Sequence, residues 1–372
     1  MNIIANHLQS LQQSSLRKII SEAPANAINL ALGEIHFPAS QLLIKEAENF
    51  LQTNPLRYTE NAGLSESREA VAAYYDGIIK RENVCLTCGA QEALFSVLFS
   101  ILNPNDEIII ADPTFLAYKT MLEMLGGKAV SFQLSPDNHF ALDADSLQKA
   151  ISPKTKAILL CNPSNPLGIS FSRKERETIM EIAMKNHLWL IADEIYRELY
   201  FDKIEPSFLH LYENSIVISG LSKSHGLTGW RIGWFASRNA ELIKKITVSH
   251  QYICTSAPTL AQKIIPFALS QNGMDYVAEI REFLRKNKSI ALTIIKEIGL
   301  EAVFSYHAPY LFINVKGNDE EFSANLSKRG VIVVPGSIFG KNGSGFIRLN
   351  YGIPEDKLKR ALEILQNFKF IY

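Results

Sequence analysis

The stretch Ser215-Ile-Val-Ile-Ser-Gly-Leu-Ser-Lys-Ser-His-Gly-Leu-Thr-Gly-Trp-Arg-Ile-Gly233 runs from an apolar segment straight into a turn rich in glycine and serine. Ile216, Val217 and Ile218 are β-branched and the run ends at Gly220, which predicts a short buried strand over 215–219. The small residues that follow leave the backbone bare, so a ligand can approach it closely. Lys223 stands between Ser222 and Ser224, with Gly220, Gly226 and Gly229 nearby. An amine in such a setting can form a Schiff base with a carbonyl compound if its pKa is lowered. Arg231 adds a planar fork suited to phosphate.

Outward from this segment, apolar runs at 107–111, 157–161 and 188–192 alternate with stretches of helical period. Ser172 and Glu175 have capping-box spacing ahead of Ile179, Ile182 and Ala183, so 157–192 reads as a β, α, β unit. A helix starting near Ala90 places Leu94, Phe95, Leu98, Phe99 and Leu102 on one face and stops before Asn103-Pro104. This alternation favours an α/β class with a mainly parallel sheet covered by helices. From about Asp275 a long charged helix precedes apolar runs at 311–315 and 331–334, an α+β pattern. Without an internal repeat or a low-complexity linker, any second domain must come from the flanks of the α/β block.

The 372 residues include 38 Lys plus Arg against 38 Asp plus Glu, and 47% are hydrophobic. That balance fits a globular protein with a large core and excludes disordered and fibrous classes. Zero net charge argues against a nucleic-acid partner or a membrane-surface footprint. No apolar run reaches the roughly 18 residues that cross a bilayer. The amino terminus lacks a basic start followed by an apolar stretch, so a cytoplasmic protein without a secretory signal is expected. Cys85 and Cys88 are spaced like a redox dithiol or half a zinc site, but Cys161 and Cys254 form no second pair. The histidines show no metal-ligand spacing, and no metal is expected.

Four more segments carry chemistry. Ile191-Ala-Asp-Glu-Ile-Tyr196 closes a predicted strand, and an acid at the carboxyl edge of a sheet sits where open α/β sheets bind ligands. Cys161-Asn-Pro-Ser-Asn-Pro-Leu-Gly168 is a proline-fixed loop in which either Asn-Pro bond is a candidate for the cis form. Thr87-Cys-Gly-Ala-Gln91 leads into a helix, so the backbone N–H groups of Gly89, Ala90 and Gln91 can cradle an anion. Asp112-Pro-Thr-Phe-Leu-Ala-Tyr118 follows another strand and presents Phe115.

In order and spacing, these segments and the Lys223 stretch resemble the class I/II, fold type I aminotransferases that use pyridoxal phosphate. The resemblance covers about 31–352. It implies a large domain over 44–270 with a mainly parallel seven-stranded sheet, and a smaller α+β domain made of 1–43 and 271–372. It also implies that Lys223 holds the cofactor as an internal aldimine and later removes the substrate α-proton. Asp193 would pair with the pyridine nitrogen, Tyr196 and Asn165 would hydrogen-bond the ring phenolate oxygen, and Phe115 would stack on the ring. Gly89, Ala90, Gln91 and Arg231 would hold the phosphate together with a serine, Ser222 ahead of Ser219 because it adjoins Lys223. Leu32-Gly-Glu-Ile-His-Phe-Pro38 resembles the segment that covers the substrate, with Gly33 and Asn165 in contact with it. Arg348, in Phe346-Ile-Arg-Leu-Asn350, would grip the α-carboxylate. Arg57-Tyr-Thr-Glu-Asn-Ala-Gly-Leu64 resembles the segment whose tyrosine, here Tyr58, reaches the phosphate of a neighbouring subunit, which implies a homodimer with shared sites.

Two positions depart from the family pattern: Leu167 stands where threonine is usual, and Gly220 where many relatives carry serine. On this resemblance Cys88 becomes a small residue before the phosphate loop, Glu194 a structural acid, Tyr118 a packing residue and His225 a bystander. The implied reaction is a ping-pong transfer of an amino group from an α-amino acid to a 2-oxo acid. A lyase or cyclase with the same cofactor machinery is the alternative, and a ligand-sensing module is a third reading. Gln91 stands where some aspartate-specific relatives have a lysine, which tilts the expected substrate toward a neutral or aromatic side chain.

Overall fold

The computed structural model describes residues 5, 8–9, 11–305 and 307–369. Residues 1–4, 6–7 and 10, on which the reading of the amino terminus rests, and residues 370–372 lie outside the described residues. The central sheet has seven strands, in the spatial order Val84–Thr87, Gly233–Ala236, Ser215–Gly220, Trp189–Asp193, Thr155–Cys161, Glu107–Asp112 and Lys128–Gln133. The last five run parallel, and Gly233–Ala236 is antiparallel to both of its neighbours. This is the mainly parallel, helix-covered α/β sheet that the alternation predicts. Its inner strands read as unbroken apolar runs because Ile158, Leu159, Leu190, Ile191, Ile216 and Val217 are all buried.

Local chemistry sets the flanking helices. Ser172 Oγ accepts from Glu175 N at 3.3 Å while Ser172 N donates to the Glu175 carboxylate at 2.8 Å, closing the predicted capping box at the start of Arg173–Lys185. Helix Ala90–Ile101 begins where Gly89 predicts, but its buried face differs from the expected stripe. Ala93, Leu94, Val97 and Leu98 turn inward, whereas Phe99 is 56% exposed and stacks on Phe95. The small side chains at 93 and 97 let the helix pack closely against Ala240–Cys254 and the sheet, which turns the two phenylalanines outward.

In the last third, helix Gln271–Glu297 starts slightly earlier than expected and buries Tyr276, Val277, Ile280, Leu284, Asn287, Ala291 and Ile295 along one stripe. The apolar run at 331–334 is not one strand. Val331–Ile332 pairs in parallel with Ile28–Asn29, and Val334–Pro335 joins an antiparallel sheet with Phe346–Asn350, Tyr310–Asn314 and Glu301–Ala302. A continuous apolar pattern could not reveal the switch, because both halves are buried. The first pairing brings the amino-terminal segment against the carboxyl-terminal third. The second sets Arg348 opposite Phe312 and Val334.

Candidate active site

Strand Trp189–Asp193 ends on its acid at the carboxyl edge of the central sheet. The neighbouring strand Ser215–Gly220 runs directly into the short helix Leu221–Ser224 that carries Lys223. Gly220 and Gly233 are register partners, and the backbones around them nearly touch. A Cβ on Gly220 would lie 2.7 Å from Ile232 O, and one on Gly233 would lie 2.5 Å from Ala90 N. The Lys223 turn, the Arg231 arm and the start of helix Ala90–Ile101 are therefore packed backbone against backbone. This explains Gly220 physically, since a serine there has no room for its Cβ. Ser222 faces the cavity instead.

Lys223 Nζ donates to Gly33 O at 2.5 Å. Burial pulls the amine down to about 8; Glu34 opposes the shift, while Arg348 and Arg231 add to it. Below it, the Asp193 carboxylate accepts from Tyr118 Oη at 2.8 Å and from Ile195 N at 3.2 Å. Burial raises its pKa to about 6 against those two hydrogen bonds. Tyr118 is thus more than the expected packing residue. Its place three positions after Phe115 is the signal that could have revealed it, since the two rings meet edge to face at 5.5 Å.

Across the cavity, Asn165 links two groups. Its Nδ2 donates to Tyr196 Oη at 3.4 Å, and its Oδ1 accepts from Arg348 Nη1 at 2.7 Å. Arg348 Nη2 donates to Ala31 O at 2.5 Å, and the guanidinium lies 4.5 Å from the Tyr310 ring centroid. Its Nε has no hydrogen-bond partner among the described residues, so this buried fork retains donor capacity. Both Asn-Pro bonds of the 161–168 loop are cis, and Leu167 is fully buried, an apolar plug beneath the loop.

Arg231 takes a left-handed backbone conformation (φ 54°) and donates from Nη1 to Thr228 O at 3.0 Å and from Nη2 to Cys88 O at 3.4 Å. Its guanidinium occupies the space above Gly89, where a Cβ would lie 2.7 Å from Nη2. Gly89 itself has φ 82°, a conformation that favours glycine, and it caps the helix whose first residues are Ala90 and Gln91.

These groups surround a cavity of about 510 Å³. Of the residues singled out from the sequence, Gly33, Ala90, Gln91, Phe115, Asn165, Asp193, Tyr196, Ser222, Lys223, Arg231 and Arg348 line it. Gly89 lies behind Arg231, and Tyr58 is 88% exposed and outside this cavity. Tyr310, Arg17 and Glu34 line the cavity without having been singled out. Glu194 holds Ser207 Oγ and Phe208 N at 3.0 and 2.8 Å, and His225 bridges Ser224 Oγ and Ala268 O, both outside the cavity.

The cysteine pair resolves differently from its spacing. Cys85 is buried in its strand, and all four cysteines are free. Glu92, His250 and Cys254 do bring potential ligand atoms within 4.8 Å of one another. Glu92 already accepts from Cys88 N at 3.1 Å and bonds His250 Nδ1 at 3.0 Å, so the group ties the 87–91 turn to helix Ala240–Cys254. His250 and Cys254 are one turn apart on that helix, but Glu92 lies 158 residues before His250, so the three-residue group has no spacing to read in the sequence.

The donor set fits pyridoxal phosphate: a deprotonatable amine, a buried carboxylate, hydroxyl and amide donors, and a glycine cradle under an arginine that a Cβ would fill. Comparison with known proteins agrees. The family model for aminotransferase class I and II matches residues 25–365. YugH of Bacillus subtilis is 34% identical over 98% of both chains. The aspartate aminotransferase of Pyrococcus horikoshii is 31% identical over 98% of this chain and 96% of its own. The solved structure of Thermus thermophilus aspartate aminotransferase with maleate superposes with a TM-score of 0.93 at 27% identity, covering 99% of this chain and 100% of that one. The chain belongs to the class I and II aminotransferase family and is a transaminase that depends on pyridoxal phosphate.

Proposed function

We propose that the protein moves the amino group of an α-amino acid to a 2-oxo acid by a ping-pong mechanism in which Lys223 holds the cofactor covalently and shuttles the substrate α-proton. The observation that carries this reading is the Lys223 amine, lowered to about 8 and facing Asp193, Tyr196, Asn165 and Arg348 across one cavity. Bound pyridoxal phosphate supplies an electron sink that acidifies the substrate α-proton. Arg348 binds the α-carboxylate and fixes the substrate over the amine. The Lys223 amine, at about 8, would act as the general base that takes the substrate α-proton. Asp193, its carboxylate oriented by Tyr118, would supply the negative charge that pairs with the cofactor's pyridine nitrogen. Tyr196 and Asn165 would donate to the ring oxygen, Phe115 would pack on the ring, and Gly89, Ala90, Gln91, Ser222 and Arg231 would hold the phosphate. Gly33 covers the substrate.

A division into a cofactor-binding unit over 44–270 and a smaller unit made of 1–43 and 271–372 goes with this reading, supported by the pairing of Ile28–Asn29 with Val331–Ile332. So does a homodimer in which Tyr58 reaches a second subunit. The exposed Leu56, Tyr58 and Tyr252 support it, as do the hydrogen bonds that tie Arg57 and Asn61 to Thr259 and Thr255. Among the described residues no helix is long and apolar enough to cross a membrane. A cytoplasmic location is part of the proposal, supported by four free cysteines, which suit a reducing compartment.

An absorbance titration of the loaded protein with a panel of amino acids, coupled to product identification, tests the reaction. A 2-oxo acid product with the cofactor left in its amine form is expected. Ammonia or a cyclised product, with the aldehyde form regenerated, would replace transamination by the lyase or cyclase reading.

A further inference from the structure

Tyr310 opens strand Tyr310–Asn314 and is 1% exposed. Its Oη lies 2.7 Å from Tyr196 Oη, with the two rings edge to face at 5.5 Å. Its ring faces the Arg348 guanidinium. The hydroxyl also occupies space that only a glycine at position 33 leaves open, since a Cβ there would lie 2.1 Å from Tyr310 Oη. Packing and the cation–π contact need the ring alone. The hydroxyl therefore calls for its own explanation, because a buried hydroxyl without a partner is costly.

Two phenols that share a hydrogen bond must divide the roles of donor and acceptor. Burial raises the pKa of both Tyr196 and Tyr310, so both keep their protons. Either oxygen could donate across this pair, but no other described residue offers the Tyr310 proton an acceptor, so the arrangement that strands no proton has Tyr310 donating to Tyr196. Asn165 Nδ2 points at the same oxygen from another side. With two donors aimed at Tyr196 Oη, the Tyr196 proton is left to point into the cavity.

We infer that Tyr310 is a positioning residue that acts through Tyr196: its hydroxyl donates to Tyr196 Oη, aims the Tyr196 proton at the cofactor ring oxygen and strengthens that donation. This rests on the proposed contact of Tyr196 with the ring oxygen. A phenol that accepts a hydrogen bond is itself a better donor. Tyr310 thus favours negative charge on the ring oxygen and lowers the pH at which the covalent Lys223–cofactor link loses its proton.

The test is a pH titration of the visible absorbance of the loaded wild-type, Tyr310→Phe, Tyr196→Phe and doubly substituted proteins. Phenylalanine keeps the ring, its packing and the Arg348 contact, so a purely structural role leaves the midpoint in place. The expected result is an upward shift of about half a unit in Tyr310→Phe and a larger one in Tyr196→Phe. The double variant should match Tyr196→Phe, because the two residues act in series. An unchanged midpoint in Tyr310→Phe, or an equal increment when it is added to Tyr196→Phe, would overturn the inference while leaving the transaminase reading intact. A wild-type protein whose absorbance band is not fixed on Lys223 by borohydride reduction would overturn both.

Discussion

The floor and the roof of the cavity are built by different means. The floor consists of Asp193, Lys223 and the helix start at Ala90, all delivered by one edge of one sheet. Backbone packed on backbone fixes it, with no space for a Cβ at Gly220 or Gly233. The roof consists of Gly33, Tyr310 and Arg348, and long polar side chains that reach main-chain carbonyls hold it in place. Arg348 donates to Ala31 O, Asn350 Nδ2 donates to Leu32 O at 2.7 Å and to Glu34 O at 2.6 Å, and Lys223 itself donates to Gly33 O. The floor therefore tolerates almost no displacement, while the roof can yield by moving a side chain. In the proposed function the floor carries the chemistry and the roof grips the substrate.

The sharpest way to break this division is Lys223→Ala. If the floor carries the proton transfer, turnover in a single-turnover assay falls by about 10⁴-fold, and the visible band of the loaded protein disappears. A variant that kept within tenfold of wild-type turnover would end the comparison. Arg348→Lys probes the roof. The lysine keeps a charge but loses the fork and the contact to Asn165, so KM for the amino acid should rise about 100-fold, with kcat changed only a few-fold. A loss confined to kcat would move Arg348 from gripping to chemistry.

Stability offers a third contrast. Gly220→Ser drives a Cβ into the Ile232 carbonyl and should cost about 2 kcal/mol in denaturant unfolding, because backbone has to shift. Gly33→Ala meets only the tip of the Tyr310 side chain and should cost clearly less. Equal costs would mean that the roof is as rigid as the floor. The smallest effect is on pH dependence. With the Lys223 amine at about 8, the cofactor-free protein should take up pyridoxal phosphate about tenfold faster per pH unit below pH 8 and level off above it. The sign follows from burial, which disfavours the charged amine and lowers its pKa, so the reactive neutral form builds up as pH rises towards 8. A plateau that begins only near pH 10 would show that the pocket does not depress the amine.

How much of this was legible in the sequence depends on how far each contact reaches along the chain. The strand before Lys223 and the strand ending at Asp193 lie within a few residues of the expected bounds, because a sheet buried on both faces writes itself as apolar runs. The capping box at Ser172 is equally local. The buried face of helix Ala90–Ile101 is not legible in the sequence, because periodicity reports apolar residues without saying which neighbour accepts them. The 331–334 run hid a change of sheet for the same reason.

The sequence by itself determined the α/β class, the family and the residues of the floor, since each floor group is a strand end or a helix start encoded within a dozen neighbours. Only the tertiary structure decided that Tyr118 orients Asp193, that Tyr310 joins Tyr196 and that Gly33 makes room for its hydroxyl. It also decided that Gly220 lacks space for a side chain and that Glu92 ties Cys88 to His250. Those contacts join residues far apart in the chain, and their geometry is set by packed volume and backbone approach, which no local pattern of residue types records.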